Sequence, residues 1–197
     1  MEQNDFDWLK EKLGWQPRDW QIRAWEGSVA IRGGRRIGKD QFLIHRALAA
    51  AKEGKCVHVL GPQWALESFW EDLAHEAERL SPIPTLGTRQ IDFPDDGIIR
   101  KVQLGLERPD LLVVTENLPS MQDIVYLLAD QIVFAFTPSA DPVGEKNQRR
   151  VRAQVLSSGG IELGIPRHLL TDEIRRLFDQ MGHDTYKREV MGMFVDD

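Results

Sequence analysis

The chain has 197 residues and only one cysteine, Cys56, so it cannot form an internal disulfide. Cys56 lies in an apolar segment typical of a strand, which favours a buried, inert thiol. The five histidines are scattered, without the spacing of metal ligands, and argue against a zinc site. The apolar runs are shorter than the ~20 residues that span a bilayer. The first residues also lack the layout of a signal peptide. We therefore expect a cytoplasmic protein with no membrane partner.

The chain also lacks an excess of positive charge. Its net charge of −6 argues against indiscriminate coating of nucleic acid. The charge is segregated, however, because residues 32–55 are mainly basic and residues 64–80 mainly acidic. Since the affinity for a polyanion depends on where cations cluster, the negative net charge does not exclude a local phosphate-binding site. The length and the apolar fraction of 42% fit one α/β domain.

Predicted strands and helices alternate along the chain. This alternation favours a mainly parallel central sheet flanked by helices, with a small β-hairpin insertion. We expect a helical lead-in over residues 1–27, a core over 28–165 and C-terminal helices over 166–197. Within this single domain, the expected strands are 28–31, 56–60, 111–114 and 131–136, the expected helices are 39–52 and 64–80, and the expected hairpin is 90–102. In parallel sheets, ligands bind at the carboxyl ends of the strands.

A glycine-rich turn follows the first predicted strand. The segment from Gly33 to Asp40 fits the G-x4-G-K pattern of a P-loop, or Walker A motif. Gly33, Gly34 and Gly38 let the backbone curl so that its N–H groups point at phosphate oxygens, and Lys39 reaches the β- and γ-phosphates. These residues and Asp40 predict an ATP site in a P-loop NTPase fold. The alternative is a basic surface turn.

The residues expected to serve the metal depart from the usual pattern. Asp40 stands where a P-loop normally has a Ser or Thr for Mg²⁺. Residues 111–116 have the outline of a Walker B strand, with Glu116 as the general base but Thr115 in place of the metal-binding Asp. One hypothesis is an exchange of roles, in which Asp40 ligates Mg²⁺ and Thr115 hydrogen-bonds that carboxylate. The alternative is a degraded site that binds nucleotide and turns over poorly.

A hydroxyl also follows the next predicted strand. At that strand's tip, Thr137 can touch the γ-phosphate of a bound nucleotide and report its loss. The alternative is a simple proline turn at Pro138.

Taken together, these segments resemble the ATPase domain of phage large terminase subunits, the motors that package viral DNA. The resemblance implies that Gln21 contacts adenine and that Arg35 or Arg36 stabilises the transition state. Arg100 or Arg108 is the alternative, acting across a subunit interface. The matching segments are Trp20-Gln21, the Walker A turn, Gly61-Pro62, the Walker B strand, Thr137-Pro138-Ser139, and Glu189 with Gly192 and Phe194.

The resemblance further implies Mg²⁺-dependent ATP hydrolysis that drives double-stranded DNA during genome packaging. A homo-oligomeric ring, a portal and a small terminase subunit are the implied partners, in the cytoplasm of the host cell. Large terminases usually continue into a nuclease domain, and we expect none in residues 1–197. Two other functions stay open: a helicase-like DNA-dependent ATPase, and a silent P-loop module that binds nucleotide or partners. Candidates for the DNA track, or alternatively for a merely solvated helix face, are Lys146, Arg149, Arg150 and Arg152.

Overall fold

A computed structural model describes residues 3–34, 36–102, 108–117, 129–165 and 182–194. Among them are six α-helices and eight β-strands. The helices are α1 (Gln3–Leu13), α2 (Asp19–Arg23), α3 (Lys39–Lys52), α4 (Gln63–Glu78), α5 (Pro142–Ser157) and α6 (His183–Tyr186), and a π-helical turn follows at Lys187–Met191. The strands are β1 (Val29–Gly33), β2 (Cys56–Leu60), β3 (Thr85–Leu86), β4 (Gln90–Asp92), β5 (Ile98–Lys101), β6 (Leu111–Thr115), β7 (Gln131–Phe136) and β8 (Ile161–Ile165).

The eight strands form one sheet in the order β3-β4-β5-β2-β6-β7-β1-β8. The pairs from β5 to β8 are parallel, and only the two pairs that involve β4 are antiparallel. The expected mainly parallel α/β fold is therefore confirmed. The predicted hairpin corresponds to β4 and β5. It extends the central sheet, because β5 also pairs with β2.

Alternate residues of the central strands bury their side chains on opposite faces of the sheet, as the period of a strand requires. On β6, Leu111 and Val113 join the core beneath α1 to α4. Leu112 and Val114 join a second core with Phe194 and α5 on the other face. Burial on both faces explains the uninterrupted apolar sequence of this strand. Helices thus cover both sides of the sheet.

One strand, β7, separates the P-loop strand β1 from β6. Ile31 of β1 and Thr115 of β6 both lie opposite Ala135 of β7, so the three strands end at nearly the same level. The loops that follow them meet at one edge of the sheet. This edge is where parallel α/β sheets bind ligands.

No helix among the described residues is both long and apolar enough to cross a membrane. Part of the segment that is expected to form C-terminal helices, residues 166–181, lies outside the described residues.

Candidate active site

The turn between β1 and α3 is tight enough to require glycine. Gly38 has φ +88° and precedes the first turn of α3, in the left-handed region that strains other residues. A Cβ on Gly33 would lie 2.3 Å from Cδ1 of Ile37 and 3.1 Å from the carbonyl oxygen of Ile165. The N-terminus of the 14-residue α3 follows this turn. Its backbone N–H groups and helix dipole favour an anion there.

Lys39 lies across the mouth of this turn and is buried, with 6% of its surface exposed. Its Nζ donates hydrogen bonds to the carbonyl oxygens of Gly33 (3.2 Å) and Gly34 (2.9 Å), and to Oγ1 of Thr137 (3.0 Å). These oxygens compensate the ammonium for its lost hydration. The fold thus brings together the lysine and the threonine that the sequence indicated separately, from positions 98 residues apart.

Glu116 belongs to the same network. It follows β6 with φ +59°, a left-handed backbone that is uncommon for a residue other than glycine. Its Oε2 accepts a hydrogen bond of 2.9 Å from the backbone N–H of Thr137, and its own N–H donates to the carbonyl of Ala135. The predicted general base, the predicted γ-phosphate sensor and the P-loop lysine therefore form one hydrogen-bonded chain.

Asp40 and Thr115 have different environments. Asp40 is exposed and lines the cleft in front of the P-loop. Desolvation raises the pKa of its carboxyl; nearby Lys39 opposes this effect and Asp72 adds to it. Thr115 is buried, and its Cγ2 is so close to Gly61 that a Cβ on that glycine would lie 2.6 Å away. Of the described residues, those that line the cleft include Asp40 and not Thr115.

The donor set at this cleft fits a magnesium ion that is held with a nucleotide. The described part of the chain has no cluster of three or more His, Cys, Asp or Glu side chains able to hold a metal alone. Mg²⁺ does not need one, because it is usually bound by one or two carboxylates together with phosphate oxygens and water. Asp40 supplies such a carboxylate. Its raised pKa marks a negative charge that a cation would stabilise.

Gln21 and Arg18 support the P-loop from behind. Nε2 of Gln21 donates to the carbonyl of Gly38 at 3.3 Å, while its Oε1 accepts from the backbone N–H of Arg18 at 2.8 Å. The Arg18 guanidinium donates to the carbonyl of Ile37 at 3.0 Å. Gln21 thus lies directly beside the turn and holds its backbone in place. The expected contact with adenine stays a prediction.

The arginines with expected catalytic roles occupy different places. Arg36 is exposed, lines the cleft and has φ +62°, whereas Arg35 lies outside the described residues. Arg100 donates to Gln90 on the neighbouring strand, and Arg108 forms a surface ion pair with Asp130. Only Arg36 among the described arginines faces the cleft.

The basic residues of α5 form two sets. Arg152 is ion-paired with Glu162 of β8. Arg149 pairs with Glu145 and stacks on Phe194 at 3.9 Å from its ring centroid. Arg152 forms one set by itself, and the other set consists of Lys146, Arg149 and Arg150. These three residues line a surface groove of about 550 Å³ on α5, which we call the α5 groove. Its other lining residues are Pro142, Glu145 and Ala153.

The segment that follows the π-helical turn packs under the P-loop. Gly192 has φ +64°, and a Cβ there would lie 2.5 Å from Cα of Gly33 and 2.7 Å from the nitrogen of Gly34. Its carbonyl accepts a hydrogen bond from Arg32, and Phe194 is buried beside Phe136. The side chain of residue 189 lies outside the described set.

The cleft residues that were not assigned a role from the sequence include Trp64, Asn117 and Gln148. Trp64 is 73% exposed at the rim, and Asn117 donates to the carbonyl of Gly144. Gln148 is buried at the cleft wall, where its signal was a polar residue in the apolar stripe of α5. The cleft holds about 530 Å³ and is lined by Arg36, Lys39, Asp40, Trp64, Glu116, Asn117, Thr137, Pro138, Ser139, Ala140 and Gln148.

No family model and no curated protein matches the sequence. Solved structures do match. The large terminase ATPase domain of Thermus phage P74-26 superposes with a TM-score of 0.70 at 12% identity, over 94% of this chain and 97% of that domain. The chain has the fold of a phage large terminase ATPase domain. The HK97 bacteriophage large terminase matches with a TM-score of 0.69 at 10% identity, over 96% of this chain. The chain spans about half of that protein, 54% of its length.

The expected resemblance to phage large terminase ATPase domains is thereby confirmed in the fold. It holds over nearly the whole chain, although few residues are identical.

Proposed function

We propose that this chain is a Mg²⁺-dependent ATPase that drives the translocation of double-stranded DNA during viral genome packaging. The observation that supports hydrolysis best is the chain of hydrogen bonds from Lys39 through Thr137 to Glu116 at the mouth of a glycine turn. A phosphate binder, a hydroxyl and a carboxylate meet there within one cleft. The matching fold of named terminase ATPase domains supports the motor role.

The phosphates of ATP occupy the turn between β1 and α3. The backbone N–H groups and the N-terminus of α3 stabilise them, and the Lys39 ammonium moves from the loop carbonyls to the β- and γ-phosphate oxygens. Gln21, which already holds the turn, would contact the adenine ring. Asp40 would hold Mg²⁺, with Thr115 supporting that carboxylate, and the ion when bound neutralises phosphate charge.

Glu116 orients a water molecule and takes its proton as the water oxygen attacks the γ-phosphorus. The bond from that phosphorus to the β-phosphate oxygen breaks, leaving ADP and inorganic phosphate. Arg36, at the cleft, or its neighbour Arg35 stabilises the negative charge that develops on the transferred group. Thr137 contacts the γ-phosphate and changes partners when it leaves.

The DNA backbone would be contacted by the α5 groove. Lys146 and Arg150, which line this groove, would supply positive charge for the phosphates. Movement of DNA would require several copies in a ring, together with a portal and a small terminase subunit. These assemblies are proposed by analogy with the matched fold.

The test is phosphate release from ATP and Mg²⁺ by the wild type, Glu116→Gln and Glu71→Gln. Glu71 is an exposed carboxylate on α4 and serves as the matched control. We expect turnover that Glu116→Gln lowers by at least about 100-fold and that Glu71→Gln leaves unchanged. ATP binding without turnover in the wild type would instead identify a silent P-loop module. DNA-stimulated turnover with strand separation would identify a helicase-like enzyme.

A further inference from the structure

Gln148 of α5 connects the tips of the two strands that carry the reactive groups. It is buried, with 2% of its surface exposed. Its Nε2 donates to the carbonyl of Glu116 at 2.9 Å and to the carbonyl of Thr137 at 2.9 Å. Its Oε1 accepts from the N–H of Ser139 at 2.8 Å. One side chain therefore joins three backbone groups at the end of β6 and in the loop after β7.

These three bonds use both N–H donors of the Gln148 amide and one lone pair of its carbonyl oxygen. An amide has two N–H donors and one carbonyl acceptor, and Gln148 directs its donors at one carbonyl from each strand end. No other uncharged side chain of this length supplies the same set. Removing it would leave buried backbone carbonyls without their partner, which a fold tolerates poorly.

The contact with Glu116 matters because of that residue's backbone. A non-glycine residue with φ +59° persists only where its surroundings determine it. The Gln148 amide holds the Glu116 carbonyl, and the Glu116 carboxylate in turn accepts the N–H of Thr137. The direction of the carboxylate and the position of the Thr137 hydroxyl thus depend on one buried amide.

We propose that Gln148 is a positioning residue for hydrolysis, which holds the water-activating carboxylate of Glu116 and the hydroxyl of Thr137 in register. This inference rests on the proposed ATPase function. It also connects the cleft to the α5 groove, because Gln148 lies two residues from Lys146 and Arg150 on the same helix. A shift of α5 on binding a polyanion would reach both strand tips through Gln148.

The experiment compares Gln148→Ala and Gln148→Glu with Val155→Ala in steady-state ATP hydrolysis. Val155 is buried on the same helix, away from the cleft lining, and provides a destabilised control. We expect Gln148→Ala to lower kcat by about 30–100-fold with KM for ATP changed less than about threefold. Val155→Ala should retain kcat at a temperature where circular dichroism shows all variants folded.

Gln148→Glu keeps the shape and the acceptor but loses both N–H donors, so its kcat should also fall. A protonated carboxyl regains one O–H donor. The ratio of its kcat to that of the wild type should therefore rise as pH falls from about 8 to about 6. A side chain that only fills space would show neither the selective loss of kcat nor this pH trend.

The outcomes separate this inference from the function on which it rests. A wild type without phosphate release overturns the ATPase proposal itself. An active wild type in which Gln148→Ala loses no more kcat than Val155→Ala overturns the role of Gln148 alone. Should Gln148→Ala fail to fold, Gln148→Glu decides, and wild-type kcat at every pH would reject the proposal.

Discussion

The Nζ atom of Lys39 lies 3.0 Å from Oγ1 of Thr137, so the two residues that are expected to contact the γ-phosphate already contact each other. Both are buried, at 6% and 9% exposure, and the backbone of Thr137 also binds the Glu116 carboxylate. A phosphate that enters the cleft must therefore compete with Thr137 for the ammonium. Binding of phosphate to the Lys39 ammonium would thus change the hydrogen bonds of Thr137 at the end of β7.

Thr137→Val tests that exchange, because it keeps the shape of the side chain and removes the hydroxyl. We expect kcat for ATP hydrolysis to fall by about 10–100-fold, with KM changed by less than about threefold. Thr137→Ser retains the hydroxyl and should stay near the wild-type rate. Steady-state phosphate release measures all three. Equal rates for the valine and serine variants would remove Thr137 from the mechanism.

Asp40 and Thr115 provide a test of the exchanged metal ligands. We expect Asp40→Thr and Thr115→Asp each to lower kcat/KM by at least about tenfold, because each leaves the metal shell with two similar groups. The double variant restores one carboxylate and one hydroxyl and should outperform both single variants. The rate is measured across a magnesium titration. Wild-type rates in all three variants would contradict the exchange of roles.

Gly192→Ala should disturb the P-loop from below. Its Cβ would meet the backbone of Gly33 and Gly34, and its φ of +64° adds strain, so we expect a loss of about 2–5 kcal/mol in the free energy of unfolding. Weaker ATP binding should accompany the loss. Gly159→Ala is the control, since its φ is +82° and no described atom lies within 4 Å of the added Cβ. That variant should lose only about 1–2 kcal/mol. Similar losses by urea denaturation would argue against the contact.

His45 predicts how stability depends on pH. Burial, with a smaller effect of Arg79, lowers the pKa of its imidazole to about 4, and its Nδ1 is buried without a hydrogen-bond partner beside Trp15. The unfolded chain, with an imidazole pKa near 6.5, binds the proton first. The free energy of unfolding should thus fall by up to about 3 kcal/mol as pH drops from about 6.5 to about 4.

His45→Phe removes this titrating group and should flatten the profile over that pH range, as measured by urea denaturation at several pH values. His75→Gln, at an exposed position on α4, should leave the profile unchanged. A profile for His45→Phe that is parallel to that of the wild type would show that other groups cause the acid sensitivity.

The α5 groove yields a prediction about DNA. Replacing both Lys146 and Arg150 with Ala should weaken binding of double-stranded DNA by about tenfold near 0.1 M salt, and reduce the slope of log affinity against log salt by about two. Lys10→Ala is the matched control, an exposed cation on α1, which packs on the opposite face of the sheet. Fluorescence anisotropy over a salt series measures both quantities. An unchanged slope would locate the DNA contact elsewhere.

Much of this architecture could be predicted from the sequence, because its signals are local. The run at β7 and the pattern at α3 gave the observed bounds of both elements. The edge strand β8 was missed, since Ile161–Ile165 contains a glycine and is only partly buried. Its partners are decided by distant contacts, including the pairing of Glu162 with Arg32 and Arg152.

The same difference between local sequence signals and distant contacts applies to the candidate site. Lys39, Glu116 and Thr137 could be placed near one another because parallel strands present their carboxyl ends at one edge. Gln148 could not, because its contacts depend on how α5 packs across that edge. The different exposure of Asp40 and Thr115 could not be predicted, since a sequence does not reveal which side chain turns toward solvent.

The position of β7 between β1 and β6 has a consequence for timing. In the described sheet, the strands that precede the Gly33–Asp40 turn and Glu116 do not pair directly with each other, and β7 lies between them. When the terminal phosphate departs, the Lys39 ammonium would again donate to the Thr137 hydroxyl. The backbone N–H of the same threonine would hold the Glu116 carboxylate. Release of phosphate and repositioning of the Glu116 carboxylate would then occur together. Each cycle of hydrolysis would thus restore the starting geometry of the site without a further partner.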